Sequence, residues 1–161
     1  MNINFTFQDK KINNIFFSFL GFTFFLFLFY FYSSNINNFT YIEDYEKIIQ
    51  KNNSKNVKSV NEIVQFIENN KNNIYSSLAS LQLAKIYIDS GNLNDALLIL
   101  KKNLKHTPDV NIFNLITLNI AKIQFQLNDN MQAIKTIDHI KDNAWKSIKY
   151  KFKDNVFASL K

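Results

Sequence analysis

The chain contains no cysteine and no arginine, and only two glycines and one proline in 161 residues. Without cysteine there is no disulfide, no thiolate metal site, no thiol nucleophile and no lipidated amino-terminal cysteine, although the compartment stays open. Without arginine there is no bidentate clamp for phosphate or carboxylate. Two isolated glycines cannot build a phosphate-cradling loop. The two histidines, His106 and His139, stand beside a turn and late in a helical stretch, where a lone imidazole usually meets terminal carbonyls. Acidic neighbours such as Glu43 and Asp44 point to different helix faces and make poor acid-base partners. No nucleophile-base pair or ligand set can be assembled, so the chain is expected to be no enzyme, with no catalytic, cofactor-binding or metal-binding residues.

All nineteen positive charges are lysines, for a formal net charge of +6. They are scattered through helical stretches and mixed with Asp and Glu. No basic cluster is interleaved with base-stacking aromatics, so no nucleic acid partner is expected. The length suits one modest domain plus one appendage.

The appendage is the stretch Ile15 to Tyr32, IFFSFLGFTFFLFLFYFY, and no charge falls between Lys11 and Glu43. Eighteen helical residues span roughly 27 Å, close to the bilayer hydrocarbon thickness. A helix apolar on every face has nowhere to hide in a soluble domain of this size. A cleaved signal peptide has a shorter apolar region and a small-residue cleavage site, and the run Tyr30, Phe31, Tyr32 fits that poorly. The pattern predicts a cytoplasmic amino terminus over 1–11 and one transmembrane helix over 12–33, in contact with inner-membrane lipid. Lys10 and Lys11 before the span, against Glu43, Asp44 and Glu46 after it, place the remainder outside the cytoplasm.

Beyond the span no strand alternation occurs, and apolar residues recur at helical spacing, so the fold class is all-α. A helical linker is predicted over 34–58, with Tyr41, Ile42, Tyr45, Ile48 and Ile49 on its helix and KNNSKN interrupting it. Ser59 and Glu62 form an S-x-x-E capping box ahead of the stripe Val60, Ile63, Val64, Ile67, predicting a helix from about Val60 to Asn70.

An internal repeat then organises the rest. Leu83 superimposes on Ile120, Ala84 on Ala121, Ile86 on Ile123, Gly91 on Asn128, Ala96 on Ala133 and Leu100 on Ile137, each pair 37 residues apart. The first unit resembles the tetratricopeptide repeat, with Leu83-Ala84-x-x-Tyr87 on its first helix, Gly91 at the turn, Ala96 and Leu100 on its second, and Pro108 closing it. Small residues belong where two antiparallel helices cross closely, and Gly91 suits a left-handed turn. Ser80 stands where that family prefers Trp and Asn103 where it prefers Ala, while Asn128 tolerates the left-handed turn geometry. A third unit begins after Trp145, a residue placed to pack between units, and carries Ile148, Phe152, Val156 and Phe157. The repeat domain is thus expected over 59–161, with about two and a half repeats, marginal without a partner.

The stretches SLASLQLAKIYID at Ser77 to Asp89, IAKIQFQLND at Ile120 to Asp129 and IDHIKDNAW at Ile137 to Trp145 resemble the YfgM-type ancillary subunits of the bacterial SecYEG translocon. The resemblance runs from about Asn69 to Leu160, and the chain stops where that family continues through further helices. It implies a non-enzymatic inner-membrane accessory of protein secretion, with a periplasmic repeat domain. The implied partners are SecYEG, the membrane-anchored periplasmic chaperone PpiD and exported proteins. A general envelope-assembly adaptor built on the same repeats is the alternative.

In tetratricopeptide folds the first helix of each unit lines a concave groove. Here that stripe is Leu78, Leu81, Lys85 and Ile88, then Leu115, Leu118, Lys122 and Phe125, with lysines recurring at one place in consecutive units. It reads either as an apolar groove with two cationic handles for a peptide bearing a carboxylate, or as ordinary inter-helix core flanked by solvated lysines.

Overall fold

The computed structural model describes residues 19–31, 41–50 and 57–160, all of whose regular elements are helical. It divides into two compact units, 1–43 and 44–161.

In the first unit residues 19–31 form helix α1. Its phenylalanines, leucines and Tyr30 stand exposed, from 47% at Leu28 to 75% at Tyr30. Thr23 turns its hydroxyl back to the Leu20 carbonyl at 2.9 Å, so even the polar residue of the helix is satisfied internally. No helix among the described residues is long and apolar enough to cross a membrane. The amino terminus over 1–11 and the flanks of the expected span, 12–18 and 32–33, lie outside the described residues, as does KNNSKN.

The second unit is a series of antiparallel helices. Helix α2 covers residues 41–50, and from Asp44 onward it belongs to this unit. Then come α3 (Val57–Asn69), α4 (Ile74–Asp89), α5 (Leu93–Leu104), α6 (Val110–Gln126), α7 (Asn130–Ile137), a short 3-10 turn (Asn143–Trp145) and α8 (Lys146–Ala158). Each helix from α3 to α8 packs on the next, and α4 also touches α6. This is the helical-hairpin layout that the 37-residue repeat implies.

The repeat register is visible in burial. Leu83 and Ile120, Ala84 and Ala121, Ala96 and Ala133, Leu100 and Ile137 are all buried, with at most 2% exposure. Gly91 and Asn128 both take the left-handed conformation, at φ 78° and 62°, so the asparagine serves where the first unit uses glycine. Asn72, between α3 and α4, uses the same geometry at φ 65°. Side chains of Asn73, Asp109, Asp129 and Asp142 accept backbone amides at the starts of the helices that follow them.

Three local features differ from expectation. Helix α3 begins at Val57, so Ser59 lies inside it instead of capping it. Ser59, Ile63 and Phe66 share the packed face at i, i+4, i+7, and all three are buried, which carries the helix past the capping box. In the expected linker, Tyr45 and Ile48 of α2 pack against the first core cluster. On α8, Phe152 and Val156 are buried, whereas Ile148 and Phe157 are exposed, because the latter two lie outside the face turned to α7.

The departures from the repeat consensus are explained by a buried polar network. Asn103 donates through Nδ2 to Ser76 Oγ at 3.3 Å, and Ser76 donates to the Ile67 carbonyl at 3.2 Å. Thr107 donates to the carbonyl and to the side-chain oxygen of Asn103, and accepts from Ser77. Ser80 is fully buried and donates to the Ser77 carbonyl at 2.7 Å. Where the consensus uses Trp and Ala, this chain stitches α3, α4 and α5 together with hydroxyls and an amide.

Candidate protein-binding groove

Helix α4 has a second face besides its buried one. Leu78, Leu81, Gln82, Lys85 and Ile88 recur at i, i+3, i+4, i+7, i+10 and line an open groove with a volume of ≈ 420 Å³. Leu115 and Asn119 of α6 form the opposite wall, Ala84 and Leu100 contribute to the floor, and Tyr45 of α2 closes one side. The apolar wall residues are half-buried, neither core nor fully solvated, and Lys85 is exposed. Asn119 Nδ2 donates to the Leu115 carbonyl at 2.8 Å, which folds that side chain back along its own helix. Tyr45 stacks at a tilt on Tyr75 (5.7 Å) and Phe66 (6.4 Å), and its burial raises the phenol pKa above the usual value.

Five of the eight predicted stripe residues, Leu78, Leu81, Lys85, Ile88 and Leu115, are therefore brought together. The other three are placed differently. Leu118 is buried in the second core cluster, with Ala121, Ala133, Ile137, Phe152 and Val156. Phe125 meets the Phe152 ring edge-on at 6.3 Å. Lys122 is exposed and does not line the groove. Helix α8 covers the part of α6 that corresponds to the open part of α4.

Sequence reasoning missed Tyr45, Gln82 and Asn119. Gln82 and Asn119 are 37 residues apart, like Lys85 and Lys122, so the repeat register carried the signal for both. Tyr45 precedes the aligned repeats and had no such signal.

Elsewhere, His106 Nδ1 lies 3.1 Å from Asn72 Oδ1, and His139 Nδ1 lies 3.2 Å from the Thr136 carbonyl. Trp145 is half-buried against the second cluster. Among the described residues no three His, Asp or Glu side chains gather as a metal-ligating group. Two carboxylates act as inter-helix clips. Glu68 of α3 pairs with Lys102 of α5 and with Lys71, and their hydrogen bonds hold its pKa below the ordinary value. Asp138, after α7, pairs with Lys153 at 2.7 Å and Lys149 at 3.3 Å on α8. The Lys153 hydrogen bond, followed by the one from Lys149, lowers its pKa against the opposing effect of burial. The groove offers half-buried apolar walls and one cation, Lys85.

The model of a tetratricopeptide repeat-like domain matches residues 27–160. An ancillary SecYEG translocon subunit of Buchnera aphidicola subsp. Schizaphis graminum is 44% identical over 117 residues, which is 73% of this chain and 60% of that protein. A subunit of the same name from Buchnera aphidicola subsp. Acyrthosiphon pisum is 42% identical over 116 residues, 72% of this chain and 60% of that protein. The one from Escherichia coli K12 is 39% identical over 84 residues, 52% of this chain and 40% of that protein. The chain thus matches no more than 60% of the length of these relatives. No solved structure gives a significant match.

Proposed function

The chain belongs to the tetratricopeptide repeat-like domain family and is of the YfgM type, and from that premise we propose that it is a non-enzymatic accessory of the Sec translocon, anchored in the bacterial inner membrane. The helical span over 12–33 would follow a cytoplasmic terminus over 1–11 and lead through a linker at 34–58 to a periplasmic repeat domain at 59–161. The exposed phenylalanines and leucines of α1 support this reading, because a helix so apolar on all sides is stable only where lipid or protein surrounds it. The lysine-before, carboxylate-after charge pattern supports the orientation.

The observation that carries the proposal is the open apolar groove on α4 beside Lys85, in a chain 44% identical to a translocon subunit. Leu78, Leu81, Ile88 and Leu115 would hold the apolar side chains of a peptide segment, and Lys85 would pair with its carboxylate. The segment would come from a membrane-anchored chaperone of the PpiD kind or from an exported chain.

In-cell photocrosslinking tests this. Probes at Leu81, Lys85 and Leu115 should capture the chaperone or exported chains, and probes at Phe24 and Phe27 should capture translocon subunits. Capture of an unrelated envelope complex from both sets would replace the secretion role with that of a general assembly adaptor.

A further inference from the structure

The residue types of α2 and α3 match the two aligned units too sparsely to join them, but burial carries the 37-residue register upstream. On the second helices, or just past their ends, Ser59, Ala96 and Ala133 fall one repeat apart, as do Ile63, Leu100 and Ile137, and Phe66, Asn103 and Ile140. All nine are buried, with at most 7% exposure. Helix α3 therefore stands where α5 and α7 stand in their units, and α2 takes the place of α4 and α6.

This register gives the groove a centre row. Tyr45, Gln82 and Asn119 lie one repeat apart on α2, α4 and α6, and all three line the groove. Leu78 and Leu115, also one repeat apart, form an apolar row one helical turn before it, and Lys85 follows one turn after.

The bonding capacity of the centre row is open. Among the described residues neither Gln82 nor the Tyr45 hydroxyl has a hydrogen-bond partner. Asn119 spends its Nδ2 on the Leu115 carbonyl and keeps Oδ1 as an acceptor. A side-chain amide offers the same kinds of donor and acceptor as a peptide bond, so the row matches a main chain whose own groups are unpaired. A helical ligand would not supply one, because its main-chain groups bond each other. Packed neighbouring helices lie about 8–10 Å apart, and α4 touches both α6 and, through Tyr75, the Tyr45 ring of α2. A polyproline II chain, a major conformer of unfolded polypeptide, repeats every three residues over about 9 Å and has no internal hydrogen bonds. One turn of such a chain leads from each member of the row to the next.

We infer that the groove binds unfolded polypeptide by its main chain, with Tyr45, Gln82 and Asn119 bonding peptide units about three residues apart and the leucine row taking the apolar side chains that fall beside them. The inference rests on the peptide-groove reading of the proposed function, and it narrows the partner to an exported chain that has not yet folded.

Fluorescence anisotropy tests it on the full chain in phosphatidylcholine nanodiscs, with a fluorescein-labelled peptide of four leucine-serine-aspartate triplets. Three counterparts carry an N-methyl group at one place in every triplet, which removes that amide donor and keeps the side chains. At least one of them should bind more weakly, by about fivefold for each bond lost. Gln82→Leu/Asn119→Leu should weaken the unmodified peptide about 25-fold although it makes the groove more apolar, and it should abolish the N-methyl penalty. A helical counterpart, with aminoisobutyrate in place of serine, should bind more weakly than the unmodified peptide. A double variant that binds as tightly as the parent, or an N-methyl penalty that persists in it, overturns main-chain capture and leaves an apolar peptide groove standing. Three N-methylated peptides that all bind the parent undiminished, or tighter binding of the helical counterpart, overturn it as well. If the parent binds none of these peptides at about 1 mM, the inference fails, and the crosslinks from Leu81 and Leu115 decide the peptide-groove reading separately.

Discussion

Asn103→Ala is the sharpest test of how this repeat unit is held together, because alanine is what the repeat consensus prefers there. On propensity alone the change should stabilise α5 by about 0.5 kcal/mol. The structure argues the other way. Asn103 is 4% exposed and bonds Ser76 and Thr107, each at 3.3 Å. Both bonds are long, so each contributes about 0.5–1 kcal/mol, and the void left by the amide costs roughly another 1 kcal/mol. No buried donor is stranded, since Ser76 still reaches the Ile67 carbonyl and Thr107 the carbonyl of residue 103. The loss is therefore capped, and the net expectation is destabilisation of about 1.5–2.5 kcal/mol. Urea unfolding of the full chain in detergent, followed by far-ultraviolet circular dichroism, measures it. The double variant Ser76→Ala/Asn103→Ala should fall short of additivity by about 0.5–1 kcal/mol. A variant as stable as the parent, or more stable, refutes the claim that the network replaces the consensus packing.

Three further outcomes are expected. Gly91→Ala should cost about 1–2 kcal/mol from backbone strain alone, because nothing lies within 4 Å of the added Cβ while φ is +78°; a lower Tm with an unchanged groove crosslink would show it. Leu83→Ala, at a position with 0% exposure, should cost about 3–5 kcal/mol and remove the cooperative unfolding transition of the unit. Asp138 has a pKa lowered on folding, so its contribution to stability is complete above the ordinary carboxylate range and disappears as pH falls through the lower folded value. The protection factors of the α8 amides, exchange rates divided into their intrinsic values at each pH, should therefore fall in acid in the parent, and should be lower at neutral pH and less pH-dependent in Asp138→Asn.

Much of the fold was legible because its determinants are local. Apolar spacing of three and four residues marked the helices, and small residues 37 apart marked the crossings. Gly91 and Asn128 marked turns that need positive φ. Residue type and interval decide all of these, whatever the rest of the chain does. The groove was half legible for the same reason. Periodicity identifies the apolar stripe on α4 and its repeat on α6, but it is silent on what covers each.

Only the tertiary structure decided that. Helix α8 lays Phe152 and Val156 against Leu118 and Phe125, turning half of the stripe into core, while Tyr45 of α2 joins the half left open. The same holds for Asn103 and Ser76, which read as faults in a consensus until they are seen bonded across two helices. A single chain stretch specifies which faces are apolar and where it must turn. Which neighbour a face meets depends on how far each helix reaches and which hairpin follows it, and those are properties of the packed array.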